Sequence, residues 1–310
     1  MNITKIPVTL SKSPLSRLSL AMFGQLSNRL TCPTETEMKG KIALITGSTG
    51  GIGKETARGL LERGIRTILT ARNPQKLEEL KNEFVKEGIP ENLILGVCLD
   101  LSYLDTLQKI SEEIKKVLIS EKISILIENA GIWPLNYSTT KQGYEIAFGT
   151  NVLGHFVFRK KLLQAELISP NARIVILTGD IYILEKDSLW DLKYSSSLGG
   201  VKAYCQSKLG NVWVARELQK RHSELEVCIV HPGVISSGLG GAGTIGKFFK
   251  SLIMLDTKQG AQMSLFCATQ RDISRGMYYH NAVGLAEFPE GDPATFDDKS
   301  KDYYDRLDSI

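Results

Sequence analysis

The chain has 310 residues, 42% of them hydrophobic and 23% charged, with a net charge of +4. That composition suits one large α/β domain, or two small ones, with a sizeable buried core. So small a charge, with no basic cluster interleaved with aromatics, excludes nucleic acid as an expected partner.

In chain order, residues 1–38 read as an N-terminal extension. Lys5, Lys12, Arg17 and Arg29 occur before the first acid, and Ser13-Pro14 is a helix start with Ser as cap and Pro at the first position. Leu15, Leu18, Met22, Leu26 and Leu30 would share one face of that helix. Three readings stand: a helix packed on the domain, a helix lying on a membrane surface through residues 13–30, or a cleaved mitochondrial presequence.

From residue 39 to 310, short Ile-, Val- and Leu-rich runs alternate with longer segments of mixed polarity. The runs 42–46, 67–71, 93–100, 123–129, 174–177, 227–231 and 277–279 read as strands buried on both faces. Helices are expected near 51–63, 74–87, 104–119, 144–167, 200–221 and 260–269. This alternation predicts a doubly wound parallel sheet in one α/β domain. The segment 236–247 is rich in glycine and precedes apolar Phe248, Phe249, Leu252, Ile253 and Met254. It reads equally as a hinge and lid or as a surface loop and packed helix.

The five cysteines, Cys32, Cys98, Cys205, Cys228 and Cys267, are odd in number and unpaired in spacing. A reducing compartment is expected, and neither a disulfide framework nor a zinc site. The expected location is cytoplasmic, with mitochondrial or membrane-associated as alternatives. No run of 18 apolar residues reads as a membrane span.

The first strand runs directly into Thr46-Gly47-Ser48-Thr49-Gly50-Gly51-Ile52-Gly53, and an amphipathic helix pattern follows. Glycines there permit a sharp turn, a close backbone approach to a pyrophosphate and tight helix–strand packing. The helix start supplies free N–H groups for the anion. The context, strand before and helix after, marks a Rossmann-type dinucleotide site.

Further motifs follow in order: Asn129-Ala130-Gly131, Asn151, Tyr204 and Lys208 four apart, and Pro232-Gly233. With the glycine turn, they make residues 39–310 resemble the short-chain dehydrogenase/reductase family. Gly53-Lys54-Glu55-Thr56-Ala57, Ala71-Arg72-Asn73, Tyr204-Cys205-Gln206-Ser207-Lys208-Leu209 and Gly276-Met277-Tyr278-Tyr279 are most similar to its retinol dehydrogenase-like carbonyl reductase branch.

Tyr204 and Lys208 fall on one helix face. An ammonium near a phenol is expected to lower the phenol pKa from about 10, fitting it for proton transfer near neutral pH. The resemblance implies that Lys208 also binds the nicotinamide ribose and that Asn151 anchors a proton-relay water. It implies cofactor contacts at Gly47, Ser48, Gly51, Ile52, Gly53, Asp100, Leu101, Asn129, Ala130, Gly131, Pro232, Gly233, Ile235 and Ser237. Arg72 follows the second strand, where an arginine suits a 2′-phosphate, so NADP is the expected cofactor.

Two positions depart from the family. Glu128 stands where its motif begins with Asn, and Gly179 where it has a serine that polarises the substrate carbonyl. Thr178, or with a one-residue shift Asp180, is the expected replacement. His155, His222, His231 and His280 lack metal-ligand spacing, and none reads as catalytic. The expected activity is hydride transfer between NADP and a small lipophilic aldehyde, ketone or alcohol. The alternative is a catalytically weak NADP-binding scaffold or sensor. The resemblance also implies a homo-oligomer, with the helices near 144–167 and 200–221 as interface elements.

Overall fold

The computed structural model describes residues 6–27, 30–33, 38–189, 192–235 and 255–310. The β-branched, apolar runs form strands: β1 (Val8–Thr9), β2 (Ile42–Ile45), β3 (Arg66–Ala71), β4 (Ile94–Cys98), β5 (Ile123–Glu128), β6 (Ile168–Leu177), β7 (Glu226–His231), β8 (Tyr278–His280) and β9 (Gly284–Glu287). They make one sheet in the order β1-β9-β8-β7-β6-β5-β2-β3-β4. Every pairing from β4 across to β8 is parallel, and β9 runs antiparallel to β8. The doubly wound Rossmann-type sheet expected from the sequence is therefore present.

The helices are α1 (Pro14–Ser19), α2 (Gln25–Ser27), α3 (Gly51–Glu62), α4 (Pro74–Lys86), α5 (Leu107–Leu118), α6 (Ile146–Phe148), α7 (His155–Gln164), α8 (Ser197–Arg221), α9 (Thr257–Thr269) and α10 (Asp297–Asp308). Alternate strand residues feed two cores. Ile42 and Leu44 of β2 face α5, α7 and α8, whereas Ala43 and Ile45 face α3, α4 and α9. The chain winds one way from β2 to β4 and the other from β5 to β8. The crevice beyond the carboxyl ends of β2 and β5 is therefore the place where such sheets bind ligands.

Several elements differ from the sequence reading, among them the strands β1 and β9 at one edge of the sheet, which it did not include. β6 begins at Ile168, six residues early, because the strand continues through Pro170 and a left-handed Asn171 (φ 60°) by a register shift against β5. The expected helix over 144–167 is split by a π-helical segment, Gly149–Gly154, that carries Asn151. α10 was not expected. It buries Ser300, Tyr303, Tyr304 and Leu307, and Tyr303 meets Trp213 of α8 edge-on, so α10 covers part of a helix read as an interface element. Among the described residues, no helix is long and apolar enough to cross a membrane.

At the N-terminus, the Ser13 side chain accepts from the Ser16 amide and caps α1. A π-turn, Leu20–Gly24, leads into α2. Within the helical turns the face directed inward is Arg17, Ala21 and Gln25; of the leucine stripe, Leu30 beyond α2 is buried, whereas Leu15 is 80% exposed. A charge explains the orientation. Arg17 is fully buried and donates to Asp180 (3.4 Å), Asp292 (3.1 Å) and the Tyr182 hydroxyl. Burial opposes its charge, but Tyr182, Asp180, Tyr278 and Asp292 hold it firmly protonated. Leaving those carboxylates without the guanidinium costs more than exposing a few leucines.

Replacing Arg17 by the similarly sized but uncharged Met is expected to lower the unfolding free energy by about 3–5 kcal/mol. Urea unfolding checks this, and an unchanged midpoint contradicts it. Despite burial, the hydrogen bond with His280 and the charge of the Arg17 guanidinium hold the Asp180 carboxyl far below the usual carboxylate range. A folded-state pKa below the unfolded one gives stability that is full above about pH 4 and drains away on acidification. The wild type should therefore lose stability below that pH more steeply than Arg17→Met.

Candidate active site

β2 ends at Ile45 and the chain turns at Gly47, whose φ of +69° favours glycine. The turn is laced to the end of β5. Thr46 Oγ1 accepts from the Asn129 and Ala130 amides (both 3.0 Å) and bonds His155 Nε2 (2.8 Å). The Asn129 side chain donates to the Thr46 and Gly47 carbonyls (2.9 and 3.2 Å). α3 then packs so close that a Cβ on Gly53 would meet the Gly47 carbonyl oxygen at 2.2 Å. Gly50 supplies no side-chain cap and the first turn holds no acid. Among the described residues, the first N–H groups of α3 therefore lack a side-chain cap, as an anion site needs.

This turn opens onto a cleft of about 550 Å³. Of the residues named from the sequence, Gly47, Gly51, Ile52, Gly53, Arg72, Leu101, Asn129, Ala130, Gly131, Thr178, Tyr204, Lys208 and Pro232 line it. Ser48 does not, because its amide and hydroxyl both bond the Thr70 carbonyl at 3.0 Å. Asp100 turns its carboxylate to the Ser102 amide and hydroxyl (2.9 and 2.7 Å). Ile235 packs instead where a Cβ on Gly260 would sit, with Ile52 beside it. Ser237 and the glycine-rich and apolar segment over 236–254 lie outside the described residues. Arg72 is exposed at the cleft and makes no ion pair among the described residues.

α8 brings Tyr204 and Lys208 to the wall of the cleft, with Lys208 Nζ 5.4 Å from the phenol ring centre. Lys208 Nζ donates to the Leu177 carbonyl (3.4 Å) at the end of β6, and burial pushes its pKa down to about 8. The phenol moves opposite to the expected direction, since burial and the neighbouring Cys205 thiol push Tyr204 up. Loss of water around both groups outweighs the attraction of an ammonium that is itself desolvated. Asn151 lies behind the pair. Its amide bonds both backbone groups of Ile132 (2.8 and 3.0 Å) and the Ser207 hydroxyl (3.0 Å), tying the loop after β5 to α8. A Cβ on Gly131 would lie in ordinary van der Waals contact with Asn151 (3.5 Å) and Lys208 (3.7 Å), which places this turn against the pair.

Thr178 is at the cleft, but its hydroxyl donates to the Lys208 carbonyl at 2.8 Å. Asp180 points into the Arg17 network and accepts from Tyr278 at 2.6 Å. Glu128 also turns away from the cleft, into a buried pair with Arg159 of α7 at 2.5 Å. Its charge is thereby compensated, and the turn's bonds are made by Asn129.

Two contributors escaped the sequence reading. Trp133, just past Asn129-Ala130-Gly131, stacks on Tyr204 with ring centres 4.6 Å apart and planes 4° apart. A large aromatic so soon after that motif was the available signal. Gln25 of α2 accepts from the Val234 amide (2.8 Å) and donates to its carbonyl (3.3 Å), clamping the loop after β7. Nothing local in the sequence marks that contact.

The short chain dehydrogenase family model matches residues 41–244. Retinol dehydrogenase 12 from Mus musculus is 35% identical over 260 residues, covering 80% of this chain and 80% of the relative. Retinol dehydrogenase 13 from Homo sapiens is 31% identical, covering 84% and 82%. Among solved structures, an uncharacterized protein from Mycobacterium Paratuberculosis superposes with a TM-score of 0.69 at 23% identity, covering 91% of this chain and 98% of that one. An alcohol dehydrogenase from Thermococcus sibiricus, complexed with 5-hydroxy-NADP, gives 0.59 at 19% identity, covering 77% and 95%. This chain belongs to the short-chain dehydrogenase/reductase family of oxidoreductases, whose members use a nicotinamide dinucleotide.

Burying an ammonium at Lys208 costs folding free energy, since the unfolded state holds that proton up to about pH 10.4. Lys208→Met should therefore stabilise the cofactor-free protein at pH 7 by about 2–3 kcal/mol while removing activity. Leu177 keeps the Asn211 amide as donor at 3.1 Å, so no carbonyl is orphaned. Thermal unfolding decides, and a lower midpoint in the variant contradicts the burial cost.

Proposed function

We propose that this protein is an NADP-dependent oxidoreductase that moves hydride between nicotinamide and a small lipophilic aldehyde, ketone or alcohol. The observation that carries this reading is the juxtaposition, in one cleft, of the capless α3 start, Arg72 and the Tyr204–Lys208 pair. The residues fit a dinucleotide. The close approach at Gly53 and the open space beside Gly50 leave room for a pyrophosphate on the α3 amides. Arg72 would take the 2′-phosphate and Lys208 the ribose hydroxyls. Bound nicotinamide supplies or accepts the hydride. Tyr204 holds the proton exchanged with the substrate oxygen, and its high proton affinity in the empty site keeps it the acid form before reduction. The name retinol dehydrogenase, carried by the relatives, supports a lipophilic substrate.

The test is oxidation of NADPH and NADH, side by side, with a panel of lipophilic carbonyls. Turnover is expected with NADPH in preference, and Arg72→Glu should reverse that preference. Tyr204→Phe is expected to cut kcat by roughly 10²–10⁴-fold while NADPH affinity, read by fluorescence titration, stays within a few-fold. Binding without oxidation across the panel would put the scaffold reading in its place, the reading favoured by Gly179 where the family has a hydroxyl.

The N-terminal segment extends this reading. Leu15 and Phe23 are 80% and 53% exposed on the side away from Arg17, and we assign them to a membrane surface. Flotation with liposomes is expected to carry the wild type and to leave Leu15→Glu/Phe23→Glu behind. Wild type that remains at the bottom of the gradient contradicts the assignment.

A further inference from the structure

Several buried polar atoms around the cleft, at Thr150, Trp133 and His231, lack hydrogen-bond partners among the described residues, and only His231 has both of its polar atoms unbonded. His231 closes β7 at 4% exposure, and among the described residues neither ring nitrogen has a hydrogen-bond partner. Its neighbours are all engaged. His280 Nε2 lies 2.9 Å from Asp180, and His280 Nδ1 accepts from the Ala282 amide at 3.0 Å. An unbonded imidazole in this setting is costly and calls for a partner.

The structure shows where that partner would sit. At Gly179, one residue past Thr178, the atom that a Cβ would find within 4 Å among the described residues, its chain neighbours aside, is His231 Nδ1 at 3.9 Å. The opening adjoins the reacting wall, because Leu177 accepts from Lys208 and Thr178 donates to the Lys208 carbonyl. Neither residue expected to supply a donor here can do so. The Thr178 proton is committed to that carbonyl, and the Asp180 carboxyl, held as a carboxylate, has no proton to give.

We propose that His231 Nδ1–H donates the hydrogen bond that orients the substrate oxygen, in the space left by the glycine at 179. The proposal rests on the oxidoreductase reading above. Burial pushes the His231 pKa down to about 3, so the ring is neutral and carries one N–H to donate. A metal ion is the competing occupant, since ligand atoms of Asp180, His231 and His280 all lie within 4.8 Å of one another. Both His280 nitrogens are already in use, however, and the Arg17 guanidinium lies against Asp180. An uncharged oxygen suits the site better than a cation.

The test uses the purified full chain with NADPH and the fastest carbonyl of the panel. His231→Ala should lower kcat by about 10²-fold and leave NADPH affinity little changed. Adding Gly179→Ser to that variant should restore much of the loss, because the new hydroxyl enters the same opening. Should His231→Ala fail to fold by thermal melting, His231→Gln, which keeps an N–H donor, is expected to retain intermediate turnover. ¹⁵N spectra of the wild-type ring should shift when a ketone is added with NADP⁺. Wild-type turnover in His231→Ala, a loss the serine cannot restore, an unmoved ring signal, or activity that vanishes with a chelated metal overturns the proposal. Wild type inert across the panel sinks the oxidoreductase reading itself, whereas an active wild type with an indifferent His231→Ala sinks only the His231 role.

Discussion

An ammonium taken out of water organises this site. Lys208 is buried on α8, and the Leu177 carbonyl at the end of β6 is the acceptor it reaches among the described residues. That contact fixes α8 against the sheet at the point where Tyr204 enters the cleft. The same carbonyl accepts from Asn211, and Thr178 returns a bond to the Lys208 backbone, so helix and strand are pinned three times within one turn. Gly131 and Asn151 close the other side. The arrangement sacrifices stability for a cation aimed at a cleft, the trade expected of a working site and not of a surface pair.

Where the chain departs from its family, the structure supplies a physical compensation nearby. Glu128 is balanced by Arg159 beneath the turn, so an acid at a strand end does not disturb the loop above it. Gly179 removes a hydroxyl, and beside the gap stands an imidazole whose nitrogens are unbonded among the described residues. The N-terminal segment holds the far side of the site. Arg17 neutralises Asp180 and Asp292, and Gln25 braces the loop after β7 where the resemblance puts cofactor contacts. A segment that reads as an appendage is thus in contact with the machinery it precedes.

Much of this was legible before the structure. β2, β3, β5 and β7 were visible as apolar runs because strands buried on both faces need no polar alternation. The glycine turn and the Tyr204–Lys208 spacing were visible because close backbone approach and a shared helix face impose fixed residue types at fixed intervals. What stayed hidden is long-range. Arg17 and Asp180 are 163 positions apart, and only the fold makes them partners. The leucine stripe pointed one face of the N-terminal helix inward, and a buried charge turned another face there instead. The direction of the Tyr204 shift was misread for a related reason, because sequence spacing reports a neighbouring charge but not the loss of water around both groups. The start of β6 was hidden by Pro170 and Asn171, residues that signal a turn unless a bulge accommodates them.

The central claim is that Lys208 sits desolvated between β6 and α8 at the cleft wall. Titration of its side-chain nitrogen by ¹⁵N NMR in the cofactor-free protein tests that claim most directly. A midpoint near pH 8 is the result the account predicts. A midpoint at the ordinary lysine value of about 10.4 would place the ammonium in water and contradict it.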